Sequence, residues 1–193
     1  MDLFRQAKSV RLISHKDRYL IAEEDRETIY QDTEPISQSS EKSAKNAVWI
    51  VEFVEGKDFI RLKSCFDTYL TASSTPLLPG VTGKKVVQTS PTYCDPATEW
   101  EPLRDGMQVR LKSFWGNFLR PNGGLPPWRN CITHDIPHRS TTRNKLLWDV
   151  EVVEKRPLEV KQHANKFNRT RSRSYSVSMT SQRQNVAKSQ EIF

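Results

Sequence analysis

Val10-Arg11-Leu12-Ile13-Ser14, with Tyr19-Leu20 five residues on, decides how this chain is read, because the pattern comes back twice. It returns as Ile60-Arg61-Leu62-Lys63-Ser64 with Tyr69-Leu70, and again as Val109-Arg110-Leu111-Lys112-Ser113 with Phe118-Leu119, at offsets of 50 and 49 residues. Each copy closes on a tryptophan, Trp49, Trp100 or Trp148, lying 39, 40 and 39 residues after the copy's first apolar residue. A fixed period of this length marks one supersecondary unit that cannot bury its apolar face alone. Three copies are few for a solenoid with separate caps. They suit a closed, pseudo-threefold body.

Within each copy, β-branched and aromatic enrichment with period-two alternation predicts four short strands. In the first copy they fall roughly at Val10–Ser14, Arg18–Glu23, Thr28–Gln31 and Val48–Val54. The second gives Phe59–Ser64, Thr68–Ser73, Lys84–Thr89 and Glu99–Leu103, and the third Gln108–Ser113, Asn117–Arg120, Asn130–His134 and Leu147–Val153. Alternation points the apolar residues of each opening strand inward and Arg11, Arg61 and Arg110 outward. Lys16-Asp17, Phe66-Asp67 and Trp115-Gly116-Asn117 are the tight turns after those strands. The run Ser37–Ser43 reads as a surface loop, and no amphipathic helix is expected before residue 155.

Twelve short strands in three equivalent groups need closure, since open edges invite aggregation. Six strands can close a barrel while three hairpins cap one end, which is an all-β, β-trefoil architecture. A two-sheet sandwich is the alternative, and it leaves the threefold period unexplained. The trefoil spans residues 1–154, with repeats at roughly 8–56, 57–106 and 107–154. Residues 155–193 form a basic Ser/Arg/Gln-containing tail too polar to bury a core, and 156–193 read as disordered.

Charge separates the two parts. Nine basic residues follow residue 154 against only Glu159 and Glu191, so the tail carries the whole formal charge of +7 and residues 1–154 are neutral. The basic character is therefore no evidence of a basic face on the fold. No run of 18 apolar residues occurs, which argues against membrane insertion. Met1–Lys8 has no apolar core of a secretory signal, and the cysteines, Cys65, Cys94 and Cys131, do not make a paired framework. The expected compartment is the cytoplasm, with the nucleus as the alternative, and the expected unit is a monomer.

The aromatic-Leu strand after a turn, closing on Trp, resembles the fascin-like actin-cross-linking group of β-trefoils. The resemblance extends to a plant branch catalogued as domain of unknown function 569. It is carried by Ala7–Leu12, Trp49–Gly56, Ile60–Ser64, Tyr69–Ser73, Thr82–Val86 and Gly116–Arg120, and above all by Gly123-Gly124-Leu125-Pro126-Pro127-Trp128-Arg129-Asn130. Thr133-His134-Asp135 and Pro137-His138-Arg139 continue it, and the likeness covers essentially residues 1–154. The resemblance implies a protein-interaction module, with actin filaments as a candidate partner. One trefoil offers one such surface, so bundling would need a dimer or a second site in the tail.

The repeat tryptophans sit at equivalent inward positions, which predicts core rather than ligand platforms. Sugar-binding trefoils resembling ricin's B chain place Gln two residues before such a Trp, whereas here the positions hold Ala47, Thr98 and Leu146. A carbohydrate-binding role through the third-repeat loop stays as the alternative function. Trp128, Arg129, His134, Asp135, His138 and Arg139 break the symmetry of the third copy and form the candidate binding surface, because aromatic and planar cationic groups make interface hot spots. Cys131, His134 and His138 have a metal-like spacing but lack a second ligand pair, so neither a metal nor a cofactor is expected. No nucleophile elbow or Gly-rich phosphate loop appears, and the expectation is a non-enzyme. In the tail, Arg171-x-x-Ser174 and Arg173-x-x-Ser176 make Ser174 and Ser176 candidate phosphosites, and the charge there predicts weak contact with polyanions.

Overall fold

The structure is a computed structural model that describes residues 2–33, 41–79, 83–90, 95–123, 128–136 and 140–157. The described residues form twelve strands: β1 (Ala7–Ser14), β2 (Tyr19–Ala22), β3 (Ile29–Asp32), β4 (Trp49–Phe53), β5 (Ile60–Lys63) and β6 (Tyr69–Pro76). They continue with β7 (Lys84–Thr89), β8 (Trp100–Asp105), β9 (Gln108–Ser113), β10 (Phe118–Pro121), β11 (Ile132–Asp135) and β12 (Trp148–Lys155). The first and fourth strands of the copies pair in a ring, β1-β4-β5-β8-β9-β12 and back to β1, all antiparallel. The second and third strands form the hairpins β2-β3, β6-β7 and β10-β11. Those hairpins touch in turn, through Thr133 opposite Lys85, Thr28 opposite Val87 and Tyr30 opposite Cys131. A closed barrel of six strands under a cap of three hairpins is the β-trefoil.

The repeat is physical as well as textual. Val10 lies opposite Trp49, Ile60 opposite Trp100 and Val109 opposite Trp148, so the opening and closing residues of every copy are neighbours. All three indoles are fully buried, and each donates its Nε1–H to the carbonyl of the second-strand leucine of its own copy. The partners are Leu20 (3.0 Å), Leu70 (2.9 Å) and Leu119 (3.3 Å). A large aromatic gains stability by burial only if its one polar atom is also satisfied, and here it is satisfied three times in the same way.

The turns repeat with equal fidelity. The amides of Ser14, Ser64 and Ser113 donate to the carbonyls of Arg18, Thr68 and Asn117, and each serine carbonyl accepts from the residue three further on. That residue has a left-handed backbone in every copy, Asp17 at φ 55°, Asp67 at φ 62° and Gly116 at φ 85°. Asp tolerates this region and Gly enters it without steric cost.

Three features differ from the sequence expectation. Short helices do occur, α1 (Asp2–Arg5) and α2 (Glu41–Asn46), the second taking up the end of the Ser37–Ser43 run. Neither is long enough to show an amphipathic period, which is why the sequence pattern misses them. Three 3₁₀ segments also appear, at Pro96–Thr98, Trp128–Asn130 and Ser140–Leu146. Finally, the ordered body runs past residue 154. Arg156 donates its backbone amide to Gln6 O (2.8 Å) and its side chain to Ala7 O (2.9 Å) and Val51 O, and its guanidinium lies 4.7 Å from the Phe53 ring centroid. Of the tail expected at 155–193, residues 158–193, with Ser174 and Ser176, lie outside the described residues. Among the described residues no helix is long and apolar enough to cross a membrane.

Candidate functional site: the third-copy hairpin

Hairpin register places one polar residue of each third strand opposite the buried second-strand leucine. Gln31 faces Leu20, Gln88 faces Leu70 and His134 faces Leu119. All three side chains are buried, so each needs partners. Each finds one in the neighbouring copy. The Gln88 amide donates to Glu23 O (2.9 Å) of the first copy, the His134 ring reaches Ser73 O (2.8 Å) of the second, and the Gln31 amide donates to Asn122 O of the third. The three bonds form a cycle that ties the hairpins together around the pseudo-threefold axis.

His134 is thus the third copy's counterpart of a glutamine. Its Nε2 faces a carbonyl and carries the proton, leaving Nδ1 to accept from the Asn117 amide at 3.1 Å. The ring stands edge-on to Trp100, with centroids 6.5 Å apart. Burial pushes its pKa below the ordinary 6.5, against a smaller upward pull from the Ser73 hydrogen bond. With both ring nitrogens bonded, no lone pair is left for a metal. Among the described residues no group of three His, Cys, Asp or Glu side chains comes together.

Outside this ring the copies diverge. The two residues after the opening strand are His15-Lys16 in the first copy, Cys65-Phe66 in the second and Phe114-Trp115 in the third. Phe66 folds back against the core. Phe114 and Trp115 instead stand 51% and 53% exposed, in an edge-to-face pair with centroids 6.2 Å apart. Phe118 pairs with Asp135 across β10-β11, which puts Ile136, 58% exposed, at the same end of the hairpin. Arg110 adds a cation 5.6 Å from the Phe118 ring centroid. The result is an exposed aromatic pair with an exposed aliphatic side chain at the same end of the hairpin, while Arg110 is mostly covered and paired with Asp105 at 3.5 Å.

The opposite end of the hairpin is cationic. Arg129 is exposed there, and Arg18 bonds Asn130 Oδ1 at 2.6 Å. His15 sits close enough to Lys16, Lys145 and Arg120 for their charge to lower its pKa, after a larger effect of burial.

The residues singled out from sequence therefore part company. Arg129 is at the surface, as a binding surface requires. His134 and Asp135 are not. They lie on β11, buried, where His134 closes the ring and Asp135 holds Arg120 at 2.7 Å. The correction has a simple cause: β11 runs to Asp135, one residue beyond the expected strand, and its register sets His134 opposite the buried Leu119, so that side chain enters the cap instead of facing solvent. The Trp128 side chain, His138 and Arg139 lie outside the described residues. Phe114, Trp115 and Ile136 were missed, although two consecutive aromatics in a turn slot that holds His-Lys in the first copy were there to be noticed.

Comparison with known proteins agrees with this architecture. A family model described as a β-trefoil domain of unknown function (DUF569) matches residues 1–148. The chain belongs to this family. No match was found among curated proteins. Solved structures share the fold at low identity. The Haemophilus ducreyi cytolethal distending toxin is 15% identical, with TM-score 0.59, over 78% of this chain and 88% of that one. A designed threefold-symmetric protein, ThreeFoil, is 15% identical with TM-score 0.56, over 75% of this chain and 98% of its own. The Polyporus squamosus lectin, solved with a sialylated epitope, is 14% identical with TM-score 0.56, over 76% of this chain and 49% of the lectin. At these identities the likeness concerns the fold alone.

Proposed function

We propose that this DUF569 domain is a non-catalytic binding module whose third-copy turn engages a protein surface, an actin filament being the first candidate. One observation carries the reading. Phe114 and Trp115 are exposed as a rigid pair at the turn where the other copies present His15-Lys16 or a Phe66 packed inward. Aromatic side chains lose little conformational entropy on binding and bury large areas, so they dominate interface energetics. Ile136 adds an exposed apolar side chain at the same end of the hairpin, and Arg129 supplies an exposed cation at the far end. The assignment to the fascin-like group, a cytoplasmic or nuclear setting and a polyanion-binding tail belong to the same proposal. The single trefoil predicts filament binding without bundling by the monomer.

A second reading is favoured by the same exposed indole. Trp115 offers a flat face on which a sugar ring stacks, and a lectin shares the fold. Filament co-sedimentation alongside a glycan array separates the two. Saturable sedimentation that is lost in Phe114→Ser/Trp115→Ser supports the protein reading. Glycan binding lost in the same variant supports the second, and an absence of both overturns the site.

A further inference from the structure

On the side of the barrel, away from the third-copy turn, β1, β4 and β12 meet α2 and the β5-β6 turn around a cleft of about 310 Å³. Its walls are Val48, Ile50 and Val153, the last two partly exposed. The base is Ser9. Successive shifts of register around Ser9, the mark of a bulge in β1, interrupt its pairing with β12, and Ser9 lies opposite Ile50 on β4. A bulge re-aims the side chain it carries. The Ser9 hydroxyl is buried yet has no hydrogen-bond partner among the described residues, a state that is costly wherever it persists. Across the mouth stand two ammonium groups. Lys8 is held by Glu154 at 2.8 Å, whereas Lys45 makes no ion pair among the described residues. Lys45 and Cys65 both line the cleft, the Cys65 thiol reaching Asn46 Oδ1 beside Lys45 at 3.6 Å.

We infer that this cleft binds a small amphiphilic carboxylate, its apolar chain against Val48, Ile50 and Val153 and its anionic head at Lys45. The volume sits at the lower end of the range for small-molecule sites, which suits a chain of about eight carbons rather than a polymer. Apolar walls with a few placed polar groups are what such sites are made of. The Lys45 ammonium, without an ion pair among the described residues, selects the sign of the head group, and the Ser9 hydroxyl at the bulge gains a partner once a small turn of its side chain brings it to the head group. The filament or glycan reading of the third-copy turn is independent of this site.

Cys65 provides a built-in reporter, since it is exposed in the wall of the cleft. The full chain would be labelled with N-ethylmaleimide in the presence of octanoate, octanol or octylamine, and modification of Cys65 followed by peptide mass spectrometry. Octanoate should slow Cys65 labelling at least fivefold with saturation, while octylamine does not. Lys45→Gln should abolish the preference for octanoate over octanol, and Ile50→Asp should abolish protection by both, each with an unchanged melting temperature. Equal protection by all three compounds, or protection by octanoate that survives both substitutions, would overturn the inference. So would an absence of protection.

Discussion

The cap holds two sets of three equivalent positions, and they have met opposite fates. Gln31, Gln88 and His134 keep one task, a buried bond to the neighbouring copy, even where the residue type has changed. His15-Lys16, Cys65-Phe66 and Phe114-Trp115 follow strands of the same register yet no residue recurs among them, and the two equivalent aromatics point differently, Phe66 against the core and Trp115 to solvent. The buried set is constrained because an unmet polar group in the interior is costly, whereas a turn exposed to water can change at little cost. Symmetry inside and divergence outside therefore separate the residues that hold the fold from those proposed to meet a partner.

The largest expected effect breaks the interior. Trp148→Ala removes a fully buried indole and its bond to Leu119 O, and should cost about 3–5 kcal/mol in urea unfolding. A loss under about 1 kcal/mol would mean the interior positions are no more constrained than the turns. Next comes Gln88→Leu, which removes the amide's bonds to Glu23 O and Thr28 O and the carbonyl that accepts from the Thr68 hydroxyl, although each of these groups keeps one other partner, for a loss of about 1–2 kcal/mol.

A smaller effect sharpens the contrast. His134→Gln restores the residue used by the other two copies and should change stability by less than about 1 kcal/mol at pH 7.5. It should also remove a pH dependence. The folded imidazole resists protonation below its ordinary 6.5, so the unfolded chain takes up the proton first and stability falls as pH drops below about 6.5. Melting temperatures measured from pH 7.5 down to pH 5 should decline less steeply in the variant, the residual slope including a weaker part from half-exposed His15. The smallest effect on stability belongs to Phe114→Ser/Trp115→Ser, within about 0.5 kcal/mol of the parent.

How much of this was legible from the sequence follows the same division. The repeat marks out the barrel because Val10, Ile60 and Val109 are spaced from their tryptophans by the strand lengths themselves. Twelve strands and the inward tryptophans follow from that spacing and from alternation. The polar ring is harder to read, since its third member is histidine and sits in a segment rich in His, Arg and Trp that looks like a surface. Register decides otherwise, and register depends on where β10 ends and β11 begins. Arg156 was hidden because a cation at the edge of a basic tail gives no sign that backbone carbonyls from Ala7 and Val51 converge on it. Exposure at Phe114-Trp115 was readable only by aligning the three copies turn by turn.

The most direct test of the account measures filament binding in three proteins side by side: the parent, Phe114→Ser/Trp115→Ser and His15→Ala/Lys16→Ala. All three should melt within a few degrees of one another. The account predicts that the parent co-sediments saturably with actin filaments, that the third-copy variant loses at least about tenfold in affinity, and that the first-copy variant binds like the parent. A parent that stays in the supernatant, or equal losses in the two variants, would contradict it.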